Sequence, residues 1–393
     1  MIEATNIADI LLENSRIDDF CGYDPFDGLN SKIFSKMGLN NFPIGRIAWL
    51  QFHKRSFVNF RKLAGIEKAR NPKGIALFIL GMMERRRSSP QKNELDLAVS
   101  LGDWLLAESA DKGVWKHYAW GYHFDWAARA FYVPRGTPNA ITTCYVSRAL
   151  YKLSEATGES RFADAAIDSG FFLDGLYQHT SSADYYGYIP GETAFVHNAS
   201  LWSAALVAQA ATHTGDLRMS ERALKVARQS VGMQKIDGAW AYGTRSHHGF
   251  IDGFHTGYNL EALDSLRNTL GTDEFDEAIA KGMNYYRQHF FLPDGTVKYY
   301  HDRIWPLDTH SVAQALVTLV KVGRTKEDFA RAELVLSRAY ATLYSAPGER
   351  FVYQKGRWFA NKINYLRWTQ AWAFYALSLY TANMSTRLRE NLL

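Results

Sequence analysis

The sequence predicts an all-α protein in which about six helical hairpins close into a ring. Three observations lead to this prediction. Apolar residues recur at helical spacing along most of the chain, the helices come in pairs, and the pairs repeat with a period of roughly 56 residues. One helix of each pair begins near Asn139, Asn198, His255, Thr309 and Tyr365.

Individual helices follow from the same spacing. The predicted helices cover residues 92–109, 139–157, 162–177, 199–214, 219–233, 256–270, 275–290, 309–322, 327–344 and 366–381. Gly158, Gly215 and Gly271 each follow a helix, and glycine adopts the left-handed conformation in which helices commonly end. The apolar run 75–83 stands one period before Asn139 and predicts a degenerate first hairpin.

The loops before these helices also repeat. An aspartate close before a glycine, followed by aromatic residues, occurs in 111–118, 237–242 and 294–299. Glycine after such an aspartate permits the positive φ of a turn. Strand signals are short and fall in aromatic stretches such as 185–189 and 297–300. We therefore expect short aromatic-rich β loops at one rim of the ring.

The ends of the chain bear on ring closure. The last predicted helix keeps apolar residues such as Trp372 and Tyr380, whereas an open array of repeats needs a polar cap. We expect residues 71–393 to form one closed ring, with residues 1–70 as a helical lead-in packed on it. The stretch 21–31 carries Asp24 and Asp27 among turn residues; it is either a plain turn or a loop folded over the ring mouth.

Composition excludes several classes of protein. Lys and Arg number 45 and Asp and Glu 40, a net charge of +5 that is too small for a dedicated nucleic-acid binder. Cys21 and Cys144 are too few for a disulfide framework. The chain has no signal-peptide pattern and no apolar stretch long enough to span a membrane, so we expect a cytoplasmic protein. Aromatic residues make up 14%, which suits a sugar-binding cleft.

Polar and aromatic residues concentrate where the inner helices of the ring are expected to begin. These segments converge on one mouth, where imidazole and phenol groups can transfer protons and arginine can clamp a carboxylate. Asp252 and Asp308 are equally suited to capping a helix. The candidate catalytic residues are Tyr242, Asp252, His255, Tyr300 and His310. The candidate substrate-binding residues are His123, Asp125, Trp126, Arg245, His247, His248, Tyr258, Asp308, Arg367 and Trp368.

Sequence motifs for other chemistries are missing. The histidines show no His-x₃-His or His-Glu-x-x-His spacing, so we expect no metal. The chain has no phosphate-binding glycine loop and no Gly-x-Ser-x-Gly elbow, and we expect no cofactor. The expected partner is an oligosaccharide or polysaccharide substrate; the oligomeric state stays open.

Two stretches resemble known α/α toroids, which are rings of helical hairpins. Residues 234–240, Gln-Lys-Ile-Asp-Gly-Ala-Trp, resemble the glutamine–tryptophan motif known from terpene cyclases. The repeat period, the Asp-Gly-x-Trp loops and the stretch 23–31, Tyr-Asp-Pro-Phe-Asp-Gly-Leu-Asn-Ser, look like α/α-toroid proteins found with bacterial capsule and exopolysaccharide biosynthesis. This resemblance covers about residues 70–385 and implies a carbohydrate-active toroid.

A narrower resemblance concerns the segment 242–260. Its elements Tyr-Gly-Thr-Arg-Ser and Asp-Gly-Phe-His-Thr are similar to a segment of glucuronyl 5-epimerases, where tyrosines move the proton beside the uronate carboxylate. Tyr242 matches the first such tyrosine and Phe254 stands in place of the second. The resemblance implies proton abstraction from a uronate-containing glycan, by an epimerase or lyase.

Two alternatives remain open from the sequence. A glycoside hydrolase needs paired carboxylates, which Asp125, Asp252 and Asp308 could supply. A toroid without catalytic activity could instead bind a glycan or a biosynthetic partner, because one fold hosts many functions.

Overall fold

The computed structural model describes residues 2–38, 42–127 and 132–390. Residues 1, 39–41, 128–131 and 391–393, which fall within the two predicted domains, lie outside the described residues. Six helices form an inner ring. They are α4 (Pro72–Ser88), α7 (Ala140–Thr157), α9 (His197–Thr214), α11 (Gly253–Leu270), α13 (Thr309–Thr318) and α15 (Ala371–Glu390). Each packs against the next, and α15 packs against α4, so the ring is closed.

Outer helices complete the hairpins. Five of them follow their inner partners along the chain: α5 (Lys92–Ala107), α8 (Ser160–Asp174), α10 (Leu217–Gly232), α12 (Asp276–His289) and α14 (Lys326–Leu343). The sixth outer position is taken by α1 (Ile2–Ile17), which packs on α15 from the other end of the chain. The predicted all-α closed ring of helical hairpins is confirmed.

Local chemistry explains where the inner helices begin and end. Asn139, Asp252 and Asp308 each precede a helix, and their side chains accept hydrogen bonds from backbone N–H groups of the first turn at 2.8–2.9 Å. The predicted terminators Gly158, Gly215 and Gly271 take positive φ angles of 75°, 73° and 63°. The N-caps place the candidate residues of the 252–260 and 308–311 segments at one rim.

The glutamine–tryptophan stretch connects neighbouring hairpins. The buried Trp240 donates its indole N–H to the carbonyl oxygen of Ser230 at 2.9 Å. Gln234 donates to the carbonyl oxygens of Gly238 and Ala278, both at 3.0 Å, and Ala278 belongs to α12. Gly238 has φ of +94°, and a Cβ atom there would lie 2.3 Å from the carbonyl oxygen of Lys281. The turn therefore requires glycine.

Short strands lie in the loops. They are β1 (Trp126–Ala127), β2 (Tyr132–Val133), β3 (Tyr177–His179), β4 (Asp184–Tyr186), β5 (Leu307–Asp308), β6 (Tyr344–Ser345), β7 (Arg350–Phe351), β8 (Gln354–Lys355) and β9 (Ala360–Asn361). The predicted stretch 185–189 overlaps one of them, whereas 297–300 forms only isolated bridges. The antiparallel pairs are β1–β2, β3–β4, β6–β7 and the three-stranded sheet β5–β8–β9. In that sheet Asp308 lies opposite Gln354.

The segment between α1 and α4 lies on the ring. It contains the short helices α2 (Lys32–Lys36) and α3 (Pro43–Arg55), and a further short helix, α6 (Lys112–Trp115), follows α5. Tyr23 bridges to Tyr365 through the backbone, and α3 packs against β1. Residues 21–31 thus fold onto the ring mouth rather than forming a free turn. Within the described ranges, no helix combines the length and apolar character needed to cross a membrane.

Candidate functional site

Aromatic and imidazole rings meet where α11, α13 and α15 begin. The ring centroids of Tyr242 and His255 lie 4.5 Å apart, and those of His310 and Trp368 lie 4.6 Å apart. Tyr258 joins them, because its ring lies 5.9 Å from that of His255 and 5.8 Å from that of His310. We call these five residues the rim cluster. Tertiary packing brings them together from three separate stretches of the chain, and all five are sequence candidates.

His255 is the accessible proton acceptor of this cluster. The Asp252 carboxylate accepts one hydrogen bond from the His255 backbone N–H at 2.8 Å and another from His255 Nδ1 at 2.7 Å. A carboxylate can only accept, so the proton of the neutral imidazole sits on Nδ1 and Nε2 keeps its lone pair. The His255 side chain is 20% exposed while that of Asp252 is buried. The pair therefore presents a base toward the mouth and a buried carboxylate that can stabilise the imidazolium.

His310 lies deeper and forms a second proton-transfer group. Its Nε2 lies 2.6 Å from the hydroxyl of Tyr258, which in turn lies 3.4 Å from the amine of Lys73. Burial, reinforced by Lys73 and Arg367, lowers the pKa of His310 well below its usual value. The imidazole is therefore neutral at neutral pH and is hydrogen-bonded to Tyr258, whose own pKa burial raises well above its usual value.

Lys73 was not predicted from the sequence. It lies in the first turn of α4, and its amine lies 4.2 Å from the centroid of the Tyr145 ring and 5.3 Å from that of Trp372. Complete burial lowers the pKa of this amine well below its usual value. The available signal was a single lysine at the start of a continuous apolar run, 75–83.

Arg367, predicted to clamp a substrate carboxylate, holds a carboxylate of the chain itself. Its Nε and Nη2 donate to the two oxygens of Asp24 at 2.6 and 2.8 Å, and both side chains are buried. Burial favours the neutral form, but the Asp24 carboxylate outweighs it and raises the pKa of Arg367. Arg61 donates to the Asp24 carbonyl oxygen at 2.8 Å and to the Asp27 carboxylate at 2.6 Å. The 24–27 loop is thereby fixed at the mouth.

Burial raises the pKa values of three candidates, Asp308, Tyr242 and Tyr300, above their ordinary values. Asp308 accepts hydrogen bonds from the Ser311 backbone at 2.9 Å and from Gln354 at 2.8 Å, and burial raises its pKa to about 6. Burial and the nearby Asp252 carboxylate raise the pKa values of Tyr242 and Tyr300. Both phenols are therefore protonated at neutral pH and can donate, but they are weak bases.

The remaining candidates make contacts in the surrounding loops. Asp125 accepts from the Tyr132 hydroxyl at 2.8 Å and from the Arg135 backbone at 2.7 Å, and Trp126 packs edge-on against Tyr188 at 6.0 Å. Arg245 pairs with Glu192 at 2.5 Å. His247 is exposed and packs edge-on against His248, whose ring lies 5.0 Å from that of Tyr242. Only His248 of these touches the rim cluster.

His123 lies beside an open crevice. Its Nδ1 lies 2.9 Å from the amide nitrogen of Asn71, and burial lowers its pKa to about 4. The crevice has a volume of about 1030 Å³ and is lined by Tyr122 as well as His123. The Tyr122 ring lies 5.0 Å from the Arg367 guanidinium. Among the residues that the structure describes, no group of His, Cys, Asp or Glu side chains could hold a metal ion.

Solved structures share this architecture at low sequence identity. A sugar epimerase from a ruminal bacterium superposes with a TM-score of 0.60 and 12% identity, over 81% of this chain and 90% of its own. The cellobiose 2-epimerase of Spirochaeta thermophila gives 0.61 and 13%, over 81% and 87%. An unsaturated glucuronyl hydrolase specific for heparin gives 0.58 and 12%, over 82% and 88%.

Sequence comparisons add no relatives. No protein-family model matches the chain, and no curated protein matches it. At such low identity the solved structures establish the fold alone. The chain therefore has the α/α-toroid fold that these carbohydrate-active epimerases and hydrolases share.

Proposed function

We propose that this chain is a carbohydrate-active enzyme of the epimerase type, with His255 as the base. The observation that supports this best is the hydrogen bond from His255 Nδ1 to Asp252 at the open rim. His255 Nε2 would remove a proton from the sugar carbon next to a carbonyl group, and Asp252 would stabilise the resulting imidazolium. Two of the structural neighbours are a sugar epimerase and a cellobiose 2-epimerase.

Epimerisation also needs a proton donor on the opposite face of the sugar. His310 and Tyr258 supply a second, neutral donor–acceptor pair, joined at 2.6 Å. The buried Phe254 ring contacts both histidines, with ring centroids 4.1 Å from His255 and 4.8 Å from His310. In this proposal the sugar C–H proton passes to His255 Nε2, and the carbanion takes the hydroxyl proton of Tyr258 on its other face. His255 then releases its proton to solvent and Tyr258 takes one up, which restores the resting state.

The substrate class follows from the charges at the mouth. The sequence predicts a uronate-containing glycan of surface-polysaccharide biosynthesis, for which Arg367 would bind the carboxylate. Because Asp24 already neutralises Arg367, we favour a neutral sugar for the site as it stands. A uronate would have to displace Asp24, and the biosynthetic setting remains a prediction.

Glycoside hydrolysis is the second candidate, and Asp308 supports it. A pKa of about 6 keeps a larger fraction of this carboxyl group protonated near neutral pH than an ordinary aspartate retains, as a general acid requires. The partner carboxylate, Asp252, is engaged by His255 and by the helix N-terminus. Among the carboxylates that were predicted from the sequence and lie at the rim in the described part of the chain, none is left free to act as the second group of a hydrolase. We therefore rank hydrolysis behind epimerisation.

One experiment separates these reactions. Neutral reducing disaccharides and uronate-containing oligosaccharides are incubated with the protein in deuterated water and analysed by NMR and mass spectrometry. An epimerase incorporates deuterium and inverts one centre, a lyase creates an unsaturated sugar, and a hydrolase only releases a reducing end. We expect epimerised, deuterated neutral sugar, lost in His255→Ala and kept in the control His179→Ala, which breaks a comparable histidine–aspartate pair outside the rim cluster. Cleavage without deuterium at carbon would overturn the proposal, and no turnover of any sugar would favour a binding protein.

A further inference from the structure

Two long segments of the chain contain no acidic residue. Residues 28–66 carry seven Lys or Arg and no Asp or Glu, and residues 350–389 show the same counts. The whole chain has 40 acidic residues. Asp27, Asp24 and Glu67 pair with Arg61, Arg367 and Lys32, and the other cations of the two segments leave an excess of positive charge there. Such a distribution favours binding to an anionic surface.

The fold brings these two segments together beside the ring mouth. Asn361 donates its side-chain amide to the carbonyl oxygen of Ser56 at 3.1 Å. The rings of Phe57 and Phe359 lie 5.9 Å apart. The connection between β8 and β9 therefore stands next to the residues that follow α3.

Large apolar side chains are exposed on the same side. On α3, Ile44, Ala48 and Phe52 are exposed at four-residue intervals, while Leu50 and His53 point inward. Phe57 is also exposed, and at the turn between β8 and β9 the side chains of Trp358 and Phe359 are 76% and 69% exposed. We call Ile44, Phe52, Phe57, Trp358 and Phe359, with the exposed cations Arg55, Arg357 and Lys362, the basic aromatic face.

We propose that the basic aromatic face binds an anionic lipid surface. Tryptophan and phenylalanine gain free energy by entering the boundary between headgroups and acyl chains, and lysine and arginine are attracted to anionic headgroups. The exposed rings stand on a helix face and on the tip of a turn, with cations between them and no carboxylate in either segment to repel lipid phosphates. This combination fits a charged lipid interface better than a protein partner, whose contact surface would contain an apolar centre depleted of charge.

Such binding would place the ring mouth near the membrane. The 28–66 segment follows directly on Asp24 and Asp27, which are fixed to Arg367 and Arg61 at the mouth. On the other side, β8 pairs with β5, where Asp308 caps α13. The 24–27 loop and the β5–β8 pair therefore connect the basic aromatic face to the ring mouth that carries the rim cluster.

Co-sedimentation of the full chain with vesicles tests the apolar part. Vesicles of phosphatidylglycerol and phosphatidylcholine are compared with pure phosphatidylcholine at about 0.1 M salt, where charges beyond about 10 Å are screened. We expect binding to the mixed vesicles and a loss of about tenfold or more in Trp358→Ala/Phe359→Ala. The matched control Leu217→Ala/Ile236→Ala removes side chains that are 75% and 99% exposed outside the face, and should bind like wild type. Circular dichroism melting checks that both variants fold.

A second pair of variants tests the charges. Arg357→Glu/Lys362→Glu should abolish binding, whereas Lys92→Glu/Lys326→Glu, with the same change in net charge at the exposed starts of two outer helices, should keep it. The proposal is overturned if mixed vesicles do not bind the protein, or if both control variants lose binding equally. It is also overturned if the chain forms a dimer in sedimentation velocity that Trp358→Ala/Phe359→Ala dissolves, since a second copy would then cover the face.

Discussion

Arg367 and Asp24 form a two-point ion pair across 343 residues of sequence, with Nε and Nη2 lying 2.6 and 2.8 Å from the carboxylate oxygens. Arg367 lies in a π-helical turn, Leu366–Gln370, directly before α15, and Asp24 comes from the segment that folds onto the mouth. The pair therefore joins the two ends of the chain at the site and removes a free guanidinium from it. This arrangement is the reason that we favour a neutral sugar.

Breaking this pair should cost stability. Asp24→Asn leaves the buried Arg367 charge without a carboxylate, and removing one partner of a buried pair typically destabilises by about 3–5 kcal/mol. Urea unfolding followed by circular dichroism gives the free energy of unfolding. Glu159→Gln, which breaks the exposed pair with Arg161, is the control and should change stability little. A wild-type midpoint for Asp24→Asn would show that the pair contributes nothing to the fold.

Asp252→Asn should separate catalysis from capping. Asparagine caps helices as well as aspartate, so the melting temperature should stay within a few degrees of wild type. An amide cannot stabilise an imidazolium, so deuterium incorporation should fall by about two orders of magnitude or more. Asp252→Ala, which loses the cap as well, should lose both activity and stability. Full proton exchange in Asp252→Asn would show that His255 acts without this carboxylate.

Asp308 should make stability depend on pH. Its folded pKa of about 6 lies above the ordinary aspartate pKa of 3.8, so between these two pH values the folded state binds more protons than the unfolded state. Stability from this group is therefore complete below about pH 4 and is lost as pH rises through about 6, by up to about 3 kcal/mol. Asp308→Asn keeps the cap and removes the titration. The unfolding free energy of wild type minus that of this variant should decline as pH rises over that range. A difference that does not change with pH would contradict a raised pKa for the buried Asp308 carboxyl group.

Trp240 should prove structural. Its indole is buried and bonded to Ser230, and truncation of a core aromatic costs about 3–5 kcal/mol. Trp240→Ala should therefore lower the urea midpoint strongly. Trp358→Ala removes an exposed indole and serves as the matched control, with a midpoint near that of wild type. Equal midpoints for the two variants would mean that the glutamine–tryptophan stretch does not support the ring.

Much of the candidate site was accessible to prediction because capping is local. Asp252 and Asp308 mark helix starts because an N-cap bonds only to residues close by in sequence. His255 and His310 lie in the first turns of these helices and are therefore placed at the rim. Arg245 and Asp125 looked equally favourable in sequence, but Glu192 and Arg135 engage them in the loops. Sequence shows which residues could act chemically, whereas only packing decides which of them meet.

Residue spacing within about one period was enough to predict the helical hairpins, their period and their glycine ends, and the apolar last helix favoured a closed ring. Tertiary structure alone decided that α1 fills the sixth outer position on α15, that Asp24 occupies the fork of Arg367, and that Lys73 enters an aromatic cage beside Tyr258. The physical reason is distance along the chain. Local propensity and periodicity carry no information about partners hundreds of residues apart, and only ring closure brings them into contact.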